Sequence, residues 1–150
     1  MTEAANLSLV VRRTVRAPVE RVFDAWTKSE FLKRWWGPEG VTCPEADVDL
    51  RVGGHYRIAN KLPDGNIVVI HGEFELIEPP TKLVYSWRVD PGIPAPSRVT
   101  VRFETHAEGT EVIVIHERIA SDAIRDNHEQ GWNGCLDGLI AFADEESSGR

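Results

Sequence analysis

The chemistry open to this chain rests on a few side chains: His116 and His128, Cys43 and Cys135, and a set of tryptophans. His128-Glu129-x-x-Trp132 invites a zinc-helix reading and fails it, because such a helix needs histidines at i and i+4, and Trp132 holds the second place. A metal site needs three or four converging ligands, and no spacing in the chain supplies them, so no metal or cofactor is expected. His116 alternates with Val112 and Val114 and shares their face of a strand. If that face is concave, His116 and His128 approach each other, and two neutral imidazoles can orient the polar end of a ligand or pass a proton. The plainer reading is two histidines hydrogen-bonded to backbone. His55, His71 and His106 show no partner pattern.

Nucleophile and phosphate motifs are missing. There is no Gly-x-Ser-x-Gly elbow, no Gly-x-x-x-x-Gly-Lys-Ser/Thr and no Gly-x-Gly-x-x-Gly; Gly53-Gly54 reads as a tight turn. Cys43 and Cys135 lack a motif that activates a thiolate, and Cys135 falls on an apolar helical stripe. Catalytic residues are therefore not assigned. Trp35 and Trp36 are adjacent, so on one helix they point about 100° apart. One should pack and the other should sit at a cavity mouth, with Trp35 counted among the ligand contacts.

The elements that must position these residues follow from periodicity. Leu7, Leu9 and Val11 alternate as a strand. Pro18 opens a helix with Val19, Val22, Phe23 and Trp26 on one stripe. Ser29 caps a second short helix that carries Phe31, Leu32, Trp35 and Trp36 and stops at Gly37-Pro38. Six runs then read as strands joined mostly by hairpins: Ala46–Val52, His55–Lys61, Ile67–Ile77, Leu83–Val89, Arg98–His106 and Glu111–Arg118. Pro63-Asp64-Gly65-Asn66 is one of the turns, and a Pro-rich loop covers Pro91–Pro96. A last helix from Ser121 to Ala143 carries Ile124, His128, Trp132, Cys135, Leu136, Leu139, Ile140 and Ala143 at three- and four-residue steps. Gly131, Gly134 and Gly138 each weaken that helix by roughly 1 kcal/mol relative to Ala, which points to close packing or to room left for something else.

The predicted class is α+β: a curved antiparallel sheet of seven strands around a long C-terminal helix, with two short helices after the first strand. One helix cannot fill the concavity of so large a sheet, so a cavity is expected between them. Trp132, His128, Leu136 and Leu139 should face it from the helix. Opposite them should sit some of Val48, Leu50, Tyr56, Val99, Val101, Phe103, Val112, Val114 and His116. Ile113 and Ile115 fall on the outer face, where an apolar pair suits a homodimer contact.

Five local signatures in order carry a resemblance. They are Ala17-Pro18-x-x-x-Val22-Phe23-x-Ala25-Trp26, Trp35-Trp36-Gly37-Pro38, Asp49-Leu50-Arg51-Val52-Gly53-Gly54, Gly72-Glu73 with Glu78-Pro79-Pro80-x-x-Leu83, and His128-Glu129-x-Gly131-Trp132. Over Leu7–Phe142 the chain resembles the START-like, helix-grip superfamily and, within it, the bacterial family named after the activator of the 90-kDa heat-shock protein's ATPase. The resemblance implies a single START-like domain over 1–150 with a hydrophobic ligand cavity. It does not imply one activity, since the superfamily mixes carriers, cyclases, hydroxylase domains and co-chaperones.

Composition bounds the partners. Lys plus Arg number 17 against 24 Asp plus Glu, a net charge of −7, which argues against nucleic acid and anionic membrane. No run approaches the length of a membrane span, the N-terminus does not read as a signal peptide, and two cysteines suit the cytoplasm. The leading expectation is a small soluble protein that encloses a hydrophobic or amphipathic small molecule. The alternatives are a chaperone-ATPase-activator-like interaction module and a cyclase- or hydrolase-like enzyme that uses His116, His128 and Glu129.

Overall fold

The computed structural model describes residues 7–37, 40–90 and 96–148. The element order is β1 (Leu7–Val15), α1 (Val19–Thr27), α2 (Ser29–Trp35), β2 (Thr42–Val48), β3 (His55–Lys61), β4 (Ile67–Glu78), β5 (Lys82–Asp90), β6 (Ser97–His106), β7 (Gly109–Ile119) and α3 (Asp122–Ser148). The strands form one antiparallel sheet in the order β1-β7-β6-β5-β4-β3-β2. With α3 gripped by this sheet, the architecture is the helix-grip arrangement that the resemblance implies. The Pro-rich loop expected at Pro91–Pro96 lies, through residue 95, outside the described residues, as does Pro38.

Register explains the core. Leu9, His116, Val99, Tyr85 and Phe74 are opposed in turn across five strands, and so are Val11, Val114, Val101 and Leu83 across four. Because strand side chains alternate, each row points to one face. Both rows are buried, and α1 adds Val22, Phe23 and Trp26 while α3 adds Trp132, Leu136 and Leu139. The outer face carries ion pairs such as Arg98–Glu75 and Arg102–Glu104.

Three expectations need correction. The second strand does not run over Ala46–Val52; it covers Thr42–Val48. Beyond Val48 the chain turns, with Asp49 N–H bonded to His55 O at 3.0 Å and Gly54 N–H to Arg51 O at 2.8 Å. Gly53 takes φ +85°, and a Cβ at Gly54 would collide with the Asp49 carbonyl oxygen. The period-two pattern of Leu50 and Val52 therefore falls on an exposed turn, and Leu50 does not face the concavity. The last helix passes Ala143 to reach Ser148, since nothing from Leu139 onward breaks a helix before Gly149. Ile113, expected as an outer subunit contact, is 5% exposed within its own chain. Its register neighbours are Arg12 and Arg102, whose long stems share its face.

Candidate functional site

Between α3 and the β3–β5 part of the sheet lies a cavity of about 1270 Å³ that opens to solvent. Ligand pockets commonly measure about 300–1,000 Å³, so the space suffices for a sizeable molecule. The sheet wall is mostly apolar: Val68, Ile70, Trp87 and Val89, with Asn60 among them. The helix wall is a row of small and polar residues: Asn127, Gln130, Gly131, Gly134, Asp137 and Gly138. These recur at three- and four-residue steps, so they share one stripe of α3. A Cβ at Gly131 would meet nothing within 4 Å, whereas one at Gly138 would collide with the Trp35 carbonyl oxygen. One glycine thus leaves space, and the other lets α3 pass close to α2.

His116 and His128 do meet. Their ring centroids are 4.8 Å apart, and Trp87 lies 5.1 Å from the first and 5.9 Å from the second. His116 is fully buried. Trp132 Nε1 donates to its Nδ1 at 3.1 Å, and its Nε2 lies 2.7 Å from Ser97 Oγ. An indole N–H only donates, so Nδ1 must accept and Nε2 must carry the proton of the neutral ring. Ser97 Oγ therefore accepts from His116. In this state Nε2 has no lone pair to take the Ser97 proton, so the pair is not arranged for nucleophilic activation. Burial, with His128 alongside, lowers the His116 pKa to about 3. Burial also lowers that of half-buried His128.

Of the residues singled out from sequence, His128 and Trp132 stand on the cavity wall. His116 stands behind Trp132. Leu136, Leu139, Phe103 and Tyr56 do not line the large cavity; they are packed in the core, with Phe103 against Phe23 and Trp26 and with Tyr56 O–H donating to Ser86 O at 2.7 Å. Trp35 is likewise in the core, donating to Ala25 O at 2.9 Å. Its neighbour Trp36 takes the wall instead. Both are buried, with ring centroids 5.5 Å apart and both rings against Trp26, because α2 ends at Trp35 and Trp36 is extended, with ψ 135°.

Sequence reasoning missed Trp36 as a wall residue, and with it Asn60. Trp36 Nε1 donates to Asn60 Oδ1 at 2.9 Å, and Asn60 Nδ2 donates to the carbonyls of Ile58 and Val68 at 3.2 Å. The available signal was an amide in a strand pattern whose neighbours two positions away, Ile58 and Leu62, are apolar. Ser97 carried no such signal. Arg13 reaches from β1 across to Asp137 of α3 and pairs with it. Cys135 on the wall has its thiol pushed up to about 12 by burial, which leaves it inert. No group of three or more candidate metal ligands occurs among the described residues, and no described helix is long and apolar enough to cross a membrane.

Comparison with known proteins follows the same lines. A protein from Chromobacterium violaceum is 28% identical with a TM-score of 0.82, over 91% of this chain and 96% of its own. The AHSA1 protein of Silicibacter pomeroyi is 26% identical with a TM-score of 0.84, over 93% and 99%. The AHSA1-like protein of Aeromonas hydrophila is 25% identical with a TM-score of 0.77, over 95% and 94%. No curated protein of described function matches the chain. The model of one family, described as Activator of Hsp90 ATPase homolog 1-like protein, matches residues 16–144, and the chain belongs to that family.

Proposed function

We propose that this protein holds a largely apolar small molecule between α3 and β3–β5, with His128 and Trp132 as wall contacts. The observation that carries the reading is the unfilled stripe of α3. Elsewhere the helix is packed tightly against sheet and α2, yet beside Gly131 there is open space. His116 acts through Trp132, by holding the indole in place. Leu136, Leu139, Phe103, Tyr56 and Trp35 support the wall from behind. The hydrolase-like alternative finds no general base in His116, since both its ring nitrogens are engaged in the neutral form. Two buried free cysteines suit the cytoplasm as the proposed location.

The test is a plug. Gly131→Leu should leave the denaturant midpoint close to wild type and should abolish binding of an apolar fluorescent dye. Unchanged dye binding would remove the cavity from consideration. The family description favours a second reading, stimulation of a chaperone ATPase. Its measure is the ATP hydrolysis rate of Hsp90 with and without this chain, where no change at saturating protein would dismiss it.

A further inference from the structure

We propose that the cavity selects an uncharged amphiphile, one whose polar end is a hydroxyl, ether or ester oxygen, and discriminates against a carboxylate of the same chain length. This rests on the reading of the cavity as a binding site. The inference comes from which charges the wall holds and which it lacks. Among the described lining residues there is no Lys or Arg. The charged group present is Asp137, and Arg13, the nearby cation, is already paired with it. An anionic head drawn out of water needs a paired cation or several donors, or it remains outside.

The two histidines are the remaining candidates for that cation, and their packing opposes the role. His116 is fixed in its neutral form between the Trp132 donor and the Ser97 acceptor. A second proton would set two N–H groups against each other at Nδ1. His128 packs at a tilt against His116 and edge-on against Trp87, and among the described residues no carboxylate pairs with it to stabilise a charged ring. Burial lowers its proton affinity in the same direction. The chain's net charge of −7 adds a long-range term against anions.

A neutral oxygen finds a better site. The His128 ring has no hydrogen-bond partner among the described residues, so it is free to donate to or accept from one hydroxyl or carbonyl. Trp87 beside it has a buried indole N–H with no acceptor among the described residues. Amides from Asn127, Gln130 and Asn133 line the helix side, and all of these groups are uncharged. The opposite wall of Val68, Ile70 and Val89 suits the hydrocarbon part. The two walls thus match the two halves of an amphiphile.

The experiment uses three probes of one chain length on the full chain at neutral pH: decanol, decanoate and decylammonium. Tryptophan fluorescence reads the binding, because Trp36, Trp87 and Trp132 stand on the wall. Decanol should bind at least about tenfold more tightly than decanoate, which corresponds to about 1.4 kcal/mol. His128→Gln, which keeps neutral donor and acceptor groups, should preserve that order. His128→Lys should reverse it toward decanoate. Decanoate equal to or tighter than decanol overturns the proposal, and so does decylammonium tighter than decanol. Equal binding of all three overturns the head-group selection and leaves the cavity reading standing. Binding of none of them overturns both.

Discussion

Two stripes of the same helix meet opposite fates. Trp132, Cys135, Leu136, Leu139 and Phe142 are buried against the sheet and the short helices. Asn127, Gly131, Gly134 and Asp137 face a space large enough for a ligand. Both stripes belong to one continuous helix, so the difference does not come from secondary structure. It comes from side-chain size and from the angle at which the sheet curves away. Near β1 and β7 the sheet lies close to α3, and large apolar side chains fill the space between them. Toward β3–β5 the sheet stands off, and the helix offers glycines and amides where bulky side chains would have bridged the gap. A folded chain can leave such a space open because the packed stripe supplies the stability.

That contrast is sharpest at Trp132, which belongs to both regions. It is 2% exposed, stacks on Trp26 with a 6.0 Å centroid separation, and donates to His116. Trp132→Ala is expected to cost about 3–5 kcal/mol, the range for a large core truncation. It should also abolish binding of an apolar probe. Chemical denaturation and a probe titration measure the two effects together. A loss under about 1 kcal/mol would place Trp132 with the open stripe, and the division drawn above would fail.

The second effect depends on pH. The native pKa of His116, about 3, lies below the ordinary value of 6.5. Between these values the unfolded chain binds a proton that the native chain does not, so stability must fall as pH drops through that window. Above pH 6.5 the ring is neutral in both states, and its contribution is fully present and no longer changes with pH. The slope is on the order of 1 kcal/mol per pH unit, with His128 acting in the same direction. Urea midpoints at several pH values, compared between wild type and His116→Gln, isolate the contribution. Wild type should lose more stability than the variant between neutral pH and pH 4. Equal slopes would mean that His116 titrates normally and is less enclosed than its partners indicate.

The smallest effect sets two glycines against each other. Gly131→Ala fills nothing and improves helix propensity, so thermal denaturation should show a gain of up to about 1 kcal/mol. Gly138→Ala gains the same propensity but drives a methyl into the Trp35 carbonyl, so a net loss of about 1–3 kcal/mol is expected. Shifts of the same sign would erase the distinction between the open and the close-packed glycine.

Much of this architecture is legible in the sequence because it depends on local periodicity. The alternation of Leu7, Leu9 and Val11, the stripe of Val22, Phe23 and Trp26, and the three- and four-residue steps from Ile124 to Leu139 each specify an element without reference to any other. Periodicity put His116 on a strand face and His128 on a helix face, but their meeting was conditional on that strand face being the concave one, which the topology decides. Where local pattern and backbone demand conflict, the pattern misleads. Leu50 and Val52 continue the alternation of Val48, yet the Gly53-Gly54 turn takes them out of the sheet.

What only the tertiary structure decides is which apolar residues face the space and which fill it. Tyr56, Phe103, Leu136 and Leu139 are as apolar as any wall residue, and the sequence marks them as inward. Whether inward means packed or facing a cavity depends on the distance between sheet and helix, a property of the whole curve rather than of any segment. The same holds for Trp36, whose place on the wall is set by the end of α2, and for Ser97, whose role exists only because β6 lays it beside His116. Local sequence determines the direction of a side chain; the separation of the layers determines what it meets there.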